Sequence, residues 1–143
     1  MQARITKETA LKEIADAKEK IFGENILSVL ESDQVREDIC NVNPPDLLLA
    51  AFMAGYVFWD DEKNCLAQKL VKPVKSGEQS ADILYYCNQL IFNMLIEEYS
   101  ANDIAMVKNT IARLVGKSKQ LIGNLEMQDL FIAKDISDFF YKS

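Results

Sequence analysis

The side chains that could do chemistry in this sequence are carboxylates, lysines and thiols, because its 143 residues include no histidine. Ser/His and Cys/His catalytic pairs therefore cannot form, and the commonest metal ligand and neutral-pH proton shuttle are missing. The five glycines form neither common kind of phosphate-binding loop. We therefore expect a protein that binds another protein, with no catalytic residues, no metal site and no cofactor.

Two groups of carboxylates come closest to a catalytic or metal-binding pattern. Asp60-Asp61-Glu62 is the densest, but it lacks the alternating ligand spacing of a calcium loop and falls in a short polar turn. Glu97 and Glu98 are adjacent, and adjacent side chains diverge on a helix or a strand. We therefore expect neither group to form a site.

The three cysteines, Cys40, Cys65 and Cys87, are far apart and include no CxxC pair. This pattern indicates neither a disulfide framework nor a zinc cluster, so we expect buried free thiols in a reducing cytoplasm. The charged N-terminus does not look like a signal peptide, and the longest uncharged stretch is too short and too polar to span a bilayer. No membrane association is expected.

The formal net charge of −6 disfavours nucleic-acid binding by the chain as a whole. One segment has the opposite sign, because the residues between Asp103 and Glu126 include no acid. Its basic residues are Lys108, Arg113, Lys117 and Lys119. A solvated basic face is the interpretation that we favour, and a phosphate-binding patch is the alternative.

The length favours a single domain, residues 1–143. Thr6 suits a helix cap, and Asn43-Pro44-Pro45-Asp46 is a second helix start, with that helix ending at Gly55. These signals predict a helical N-terminal part over residues 1–55.

A β-hairpin is predicted within residues 56–75. Tyr56 to Trp59 is aromatic and β-branched, and a polar turn follows. Cys65 to Val71 can return as the second strand and stop near Pro73, which places the hairpin near residues 56–72.

The remaining part, residues 80–143, is predicted to be helical. Ile83 to Ile96 is apolar nearly all round, as in a buried central helix, although a strand over part of Leu90 to Glu98 is the alternative. Ser100 to Asp103 resembles a capping box.

Two more helices follow in the pattern. An apolar stripe runs from Ile104 to Gly116, and Asn124 can cap a last helix, roughly Leu125 to Tyr141. The predicted fold is mainly α (α+β), a compact helical domain of four to five helices with one β-hairpin.

The last helix carries more apolar residues than one buried face needs. Ile132, Ala133, Ile136, Phe139 and Phe140 share one broad apolar face. The helix either packs on two sides of the core or exposes a small apolar patch with a charged rim, which is typical of a partner site. The candidate residues for partner binding are Met127, Leu130, Phe131, Phe140 and Tyr141, together with Trp59, for which a core position is the alternative.

Three stretches of the sequence look like parts of one known family. The first resembles a strand ending in a Lys-Pro step, the second a Ser-x-x-Asp helix start, and the third a C-terminal helical part. They are Leu66-Ala67-Gln68-Lys69-Leu70-Val71-Lys72-Pro73-Val74; Ser100-Ala101-Asn102-Asp103-Ile104; and Ile111-Ala112-Arg113-Leu114-Val115-Gly116 with Ile122 to Leu125, Asp129 and Asp138-Phe139-Phe140.

These stretches, within residues 56–143, resemble the tail assembly chaperone family of tailed bacteriophages. The resemblance implies a small, non-structural protein of the host cytoplasm that binds the tape-measure protein and keeps its long helices soluble. Its partner would be a helical protein. Separately, the apolar surplus on two helices favours self-association into a homo-oligomer. The alternative is a generic cytoplasmic adaptor or regulatory binding protein of bacterial or prophage origin.

Overall fold

The computed structural model describes residues 2–22, 44–87 and 104–141. These residues form an α+β fold in which five helices and a three-stranded antiparallel sheet share one apolar core. The elements in chain order are α1 (Lys7–Phe22), α2 (Asp46–Ala54), β1 (Val57–Asp60), β2 (Cys65–Ser76), β3 (Gln79–Tyr86), α3 (Ile104–Val115), α4 (Lys119–Gly123) and α5 (Met127–Ile136), followed by a π-helical turn (Ser137–Tyr141).

The first helix begins and packs as its sequence pattern predicts. The Thr6 hydroxyl accepts a hydrogen bond from the Thr9 backbone N–H at 3.2 Å, which caps α1. Ala10, Ile14 and Ala17 recur at helical spacing and are all buried. This stripe holds α1 against α2 and β1.

The second helix ends at Gly55, as predicted. Gly55 has φ of 82°, a left-handed conformation that glycine adopts easily because it has no Cβ. Its backbone N–H donates to the Ala51 and Phe52 carbonyls and ends the helix. Tyr56 N–H then donates to the Ala51 carbonyl at 2.9 Å and leads the chain into β1. The N-cap position is Pro45, and Asn43 lies outside the described residues.

The prediction of a single hairpin is wrong, because the sheet has three strands in the order β1-β2-β3. Its third strand includes Ile83, where the sequence pattern predicted the start of a helix. Leu84 and Tyr86 are buried in the core, and Ile83 and Tyr85 on the other face of the strand are half-buried. Because both faces of the strand are covered, its sequence is as continuously apolar as that of a buried helix. Residues 88–103 lie outside the described ranges, so the alternative strand and the predicted capping box are not placed.

The predicted end of β2 near Pro73 is also wrong, since the strand continues to Ser76. The β2–β3 register shifts between Lys69 and Val74, and Pro73 lies in this irregular stretch. A bulge is where a strand tolerates a residue without an N–H. Gly77, with φ of 61°, then opens the two-residue connection to β3.

The prediction of unpaired thiols is wrong for two of the three cysteines. Cys65 and Cys87 form a disulfide, with their Cα atoms 5.3 Å apart. Leu66 pairs with Tyr86 in the antiparallel β2–β3 register. Cys65 precedes Leu66 and Cys87 follows Tyr86, so the two cysteines lie opposite each other. Cys40 lies outside the described residues.

The C-terminal helices follow the predicted order with one change of boundary. Gly116, with φ of 67°, follows the last residue of α3, as predicted. Asn124 caps the C-terminal end of α4, and α5 begins at Met127 after Glu126. No helix within the described ranges is both long enough and apolar enough to cross a membrane.

Candidate functional site

The orientation of α5 decides which of its side chains can meet a partner. Asp129, Ile132, Ala133 and Ile136 are buried and share one face of the helix. The opposite face carries residues at i, i+4, i+7 and i+11, which also lie together on a helix. We call these residues the α5 outer face: Met127, Phe131, Lys134 and Asp138, the last from the π-helical turn.

A buried polar network fixes this orientation. The Asp129 carboxylate accepts hydrogen bonds from the backbone N–H groups of Val71 at 2.9 Å and Lys72 at 3.2 Å. The Gln68 side-chain amide donates to the Asp129 carbonyl at 2.9 Å, and the Tyr86 hydroxyl donates to Gln68 Oε1 at 2.7 Å. Rotating α5 would break all three of these hydrogen bonds to β2, so its outer face is held away from the sheet.

Two of the predicted partner-binding residues are exposed side by side. Met127 has 70% of its surface exposed and Phe131 44%. They are one helical turn apart, so their side chains are neighbours. Leu130, predicted to belong to the same patch, is partly buried and packs against the core.

Phe140 does not belong to this surface, which corrects the sequence-based prediction. It is only 2% exposed, and its ring centroid lies 6.3 Å from that of Phe52 and 5.1 Å from that of Phe139. Phe140 shares the helical face of Ile132 and Ile136, and all three side chains are buried in the core. Only the backbone of Tyr141 is described, so its predicted role stays a prediction.

Charged groups form the C-terminal half of the outer face. Lys134 Nζ lies 3.0 Å from Asp138 Oδ2, and both side chains are about one-quarter exposed. Beside them, burial raises the pKa of Asp135; the Lys134 ammonium opposes this and the Asp138 carboxylate adds to it. The face is therefore apolar at its N-terminal end and charged at its C-terminal end.

Trp59 belongs to a separate groove between α1 and β1. The groove encloses about 280 Å³, and the Lys20 ammonium lies 5.1 Å from the Trp59 ring centroid and 3.9 Å from Asp61 Oδ1. Trp59 also packs against the core. The groove is lined by Glu13, Asp16, Ala17, Lys20, Phe58, Trp59 and Asp61.

The acidic turn that precedes β2 has a structural role. Asp60 Oδ1 accepts a hydrogen bond from Lys63 N–H at 2.9 Å, which closes the turn. Within the described part of the chain, no three His, Cys, Asp or Glu side chains are grouped as a metal site would require. Glu97 and Glu98 lie outside that part.

The sequence-based reasoning missed the residues that hold the outer face in place. Asp129 and Gln68 are both buried and polar, with no measurable exposure. A signal was present for Asp129: it lies on the same helical face as Ile132, Ala133 and Ile136. An acid at such a position must find hydrogen-bond donors inside the fold.

The comparisons with known proteins add no relative. The chain matches no protein-family model, no curated protein and no solved structure.

Proposed function

We propose that this protein has no enzymatic activity and works by holding a helical segment of another protein against the α5 outer face. The observation that carries this proposal is the exposure of Met127 and Phe131 on a helix whose other face is buried and hydrogen-bonded to the sheet. Aromatic and Met side chains are enriched at protein interfaces, and the flexible thioether of Met adapts to different partner surfaces. Helical clients commonly bind through apolar residues spaced at i and i+4.

The size of the exposed pair sets what it can contribute. Burying an entire Phe or Met side chain stabilises a complex by about 1.5–3 kcal/mol. From exposures of 70% and 44%, covering both side chains contributes about 3 kcal/mol. Micromolar binding takes about 8 kcal/mol, so a client must also contact residues beyond this pair.

The resemblance described above suggests a narrower form of the proposal, in which the client is a tape-measure-like helical protein during phage tail assembly. The support for this form is limited to short stretches of sequence. Asp129, Phe139 and Phe140, which belong to those stretches, are buried and hold the C-terminal helices together. They would therefore be needed for folding whatever the client is.

The proposed location is the cytoplasm, that of the bacterial host if a phage encodes the chain. The Cys65–Cys87 disulfide counts against this location, because cytosolic thiols are normally kept reduced. In the cytoplasm the same register would hold the two thiols opposite each other without a bond. Mass spectrometry of the alkylated protein, after rapid acid quenching of native cells, distinguishes the two states.

A pull-down from the native host, read by mass spectrometry, tests the proposed function. The baits are the wild-type chain, Phe131→Asp and the matched control Ile104→Asp, which places the same charge at an exposed apolar residue of α3. We expect the wild type and the control to retain a long helical partner and Phe131→Asp to lose it, with all three baits equally folded by circular dichroism.

Three results would contradict the proposal or part of it. Loss of the partner from both variants, or from neither, would remove the α5 outer face from the interaction. If the partner that depends on Phe131 is compact and not helical, the protein is a generic adaptor and not an assembly chaperone. Unfolding of Phe131→Asp alone would return Phe131 to the core.

A further inference from the structure

Four lysines come from two elements that contact each other, β2 and the N-terminal end of α4. Lys72 and Lys75 are on β2, and Lys117 and Lys119 flank Ser118, the N-cap of α4. Ser118 N–H donates to the side-chain oxygen of Gln79 at 3.0 Å, and Gln79 pairs with Ser76, the neighbour of Lys75. We call these four residues the basic cluster.

A second hydrogen bond holds the cluster together. The Asn124 side-chain amide donates to the Lys75 carbonyl at 3.1 Å, so the end of α4 is fixed against β2 as well. The lysines from two distant parts of the sequence are therefore neighbours because of the fold. The sequence pattern revealed only the half that lies between Asp103 and Glu126.

Within the described residues, the basic cluster forms no ion pair. Lys72, Lys75 and Lys119 are exposed and Lys117 is half-buried. Across the described ranges, none of the four ammonium groups has a carboxylate within 4.0 Å. Glu78 in the β2–β3 turn and Glu126 before α5 are exposed carboxylates at its margin, so the cluster keeps an excess of positive charge.

The basic cluster adjoins the N-terminal end of the α5 outer face. Met127 follows Asn124 by three residues, and the Asn124 side chain contacts Lys75. The other end of the outer face carries Asp138, with Asp135 beside it. The surface therefore runs from the basic cluster, through the apolar Met127 and Phe131, to the Lys134–Asp138 ion pair with Asp135 beside it.

We infer that the client of the α5 outer face is an acidic amphipathic helix, whose carboxylates lie over the basic cluster while its apolar side meets Met127 and Phe131. This inference rests on the proposed function and adds the charge of the client. The ten residues of α5 extend about 15 Å, so a helix of about 20 residues, about 30 Å long, would cover both regions.

Charge complementarity favours this occupant over the others. A nucleic acid would bring phosphates to the basic cluster but no apolar side for Phe131, and it would be repelled by the net charge of −6. An apolar helix without acids would leave four ammonium groups without partners. Charges at the rim of an interface chiefly set the association rate and the choice of partner, and their effect weakens with salt.

Two synthetic amphipathic peptides of about 20 residues test the inference. They share one leucine face, and one carries glutamates and the other lysines on the polar face. Dissociation constants are measured by fluorescence anisotropy for the wild type, Phe131→Asp, Lys75→Glu/Lys119→Glu and the control Lys7→Glu/Lys12→Glu. The control reverses two exposed lysines at α1, so the change in net charge is matched.

We expect the wild type to bind the glutamate peptide about tenfold more tightly than the lysine peptide. Lys75→Glu/Lys119→Glu should weaken the binding of the glutamate peptide about tenfold, whereas the control should change its dissociation constant by less than about twofold. Phe131→Asp should weaken the binding of both peptides. Added salt should reduce the preference for the glutamate peptide.

Failure of the inference and failure of the proposed function give different results. If Phe131→Asp weakens binding but Lys75→Glu/Lys119→Glu does not, the client is not acidic and the proposed function survives. If only the lysine variant weakens binding, the α5 outer face is not the site and the proposed function fails. The inference would be overturned in favour of a nucleic acid if a single-stranded oligothymidine binds more tightly than the glutamate peptide. It would be overturned in favour of a second copy of the chain if the wild type is a dimer and Lys75→Glu/Lys119→Glu is not.

Discussion

Asp129 fixes α5 against β2 through hydrogen bonds. Its side chain is buried, and its two carboxylate oxygens accept one backbone N–H each from the irregular part of β2. Those N–H groups, of Val71 and Lys72, lie where β2 has left its regular register with β3. The carboxylate thus replaces the missing strand partner and joins the helix to the sheet.

Asp129→Ala should therefore lower the free energy of unfolding by about 3 kcal/mol, because it leaves two partly buried N–H groups without acceptors. Urea denaturation measures the change. The control is Asp82→Ala, at an exposed acid on β3, which should stay within about 0.5 kcal/mol of the wild type. A loss below about 1 kcal/mol in Asp129→Ala would mean that water replaces the carboxylate.

Asp135 should make the stability depend on pH. Burial raises its pKa above the ordinary 3.8, so ionising this carboxyl is harder in the folded chain than in the unfolded one. The resulting destabilisation grows as the pH rises above 3.8, and it is absent well below pH 3.8, where both states are protonated. Asp135→Asn should therefore raise the melting temperature at neutral pH and leave it unchanged in acid.

Thermal unfolding followed by circular dichroism at both pH values checks this prediction. Glu62→Gln, at an exposed acid in the β1–β2 turn, controls for the lost charge. A melting temperature that rises equally at both pH values, or one that falls at neutral pH, would show that the burial of Asp135 is not the cause.

At the residue scale the sequence predicted only part of the site. Met127 and Phe131 could be paired because residues four apart are neighbours on a helix. The burial of Phe140 depends on Phe52, a contact across 88 positions that no local pattern contains. Asp129 and Gln68 were missed because their partners lie on other elements, distant in the sequence.

At the scale of elements, the structure depends on how β3 is held beside β2. The strand pairs with β2 along most of its length, and the Cys65–Cys87 disulfide closes the end away from the turn. Cys65 is buried while Cys87 is exposed, so the bond joins the core to the residue that follows β3.

Cys87→Ser should lower the free energy of unfolding of the oxidised protein by about 3 kcal/mol. The physical reason is that the disulfide closes a segment with a sequence separation of 22, which restricts the unfolded chain. Urea denaturation with and without a reducing agent measures it. The reductant should bring the wild type to the stability of Cys87→Ser and leave the variant unchanged; a wild type that does not respond to reductant would show that the thiols are not joined in solution.

Most element boundaries were predictable where a local signal acts alone. Thr6 marks the start of α1, and Gly55 and Gly116 mark the ends of α2 and α3. β3 was not predicted because Ile83 to Tyr86 is an apolar run that fits a helix or a strand equally well. Pairing with β2 decides between them, and that pairing is tertiary.

At the scale of the whole molecule, charge is distributed unevenly over the surface. The groove between α1 and β1 carries Glu13, Asp16 and Asp61, whereas the basic cluster lies beside α4. The net charge of −6 hides this separation. The composition therefore disfavoured nucleic-acid binding only for the chain as a whole and did not describe each part of the surface.

The most direct measurement of the central claim is the affinity of the client for Phe131→Asp and Ile104→Asp, with the partner purified from the native host. Calorimetry should show that Phe131→Asp binds at least about tenfold more weakly than the wild type, since an interfacial aromatic side chain is commonly worth more than about 1 kcal/mol. Ile104→Asp should bind like the wild type. Equal affinity of all three folded proteins for a helical partner would contradict binding through the α5 outer face.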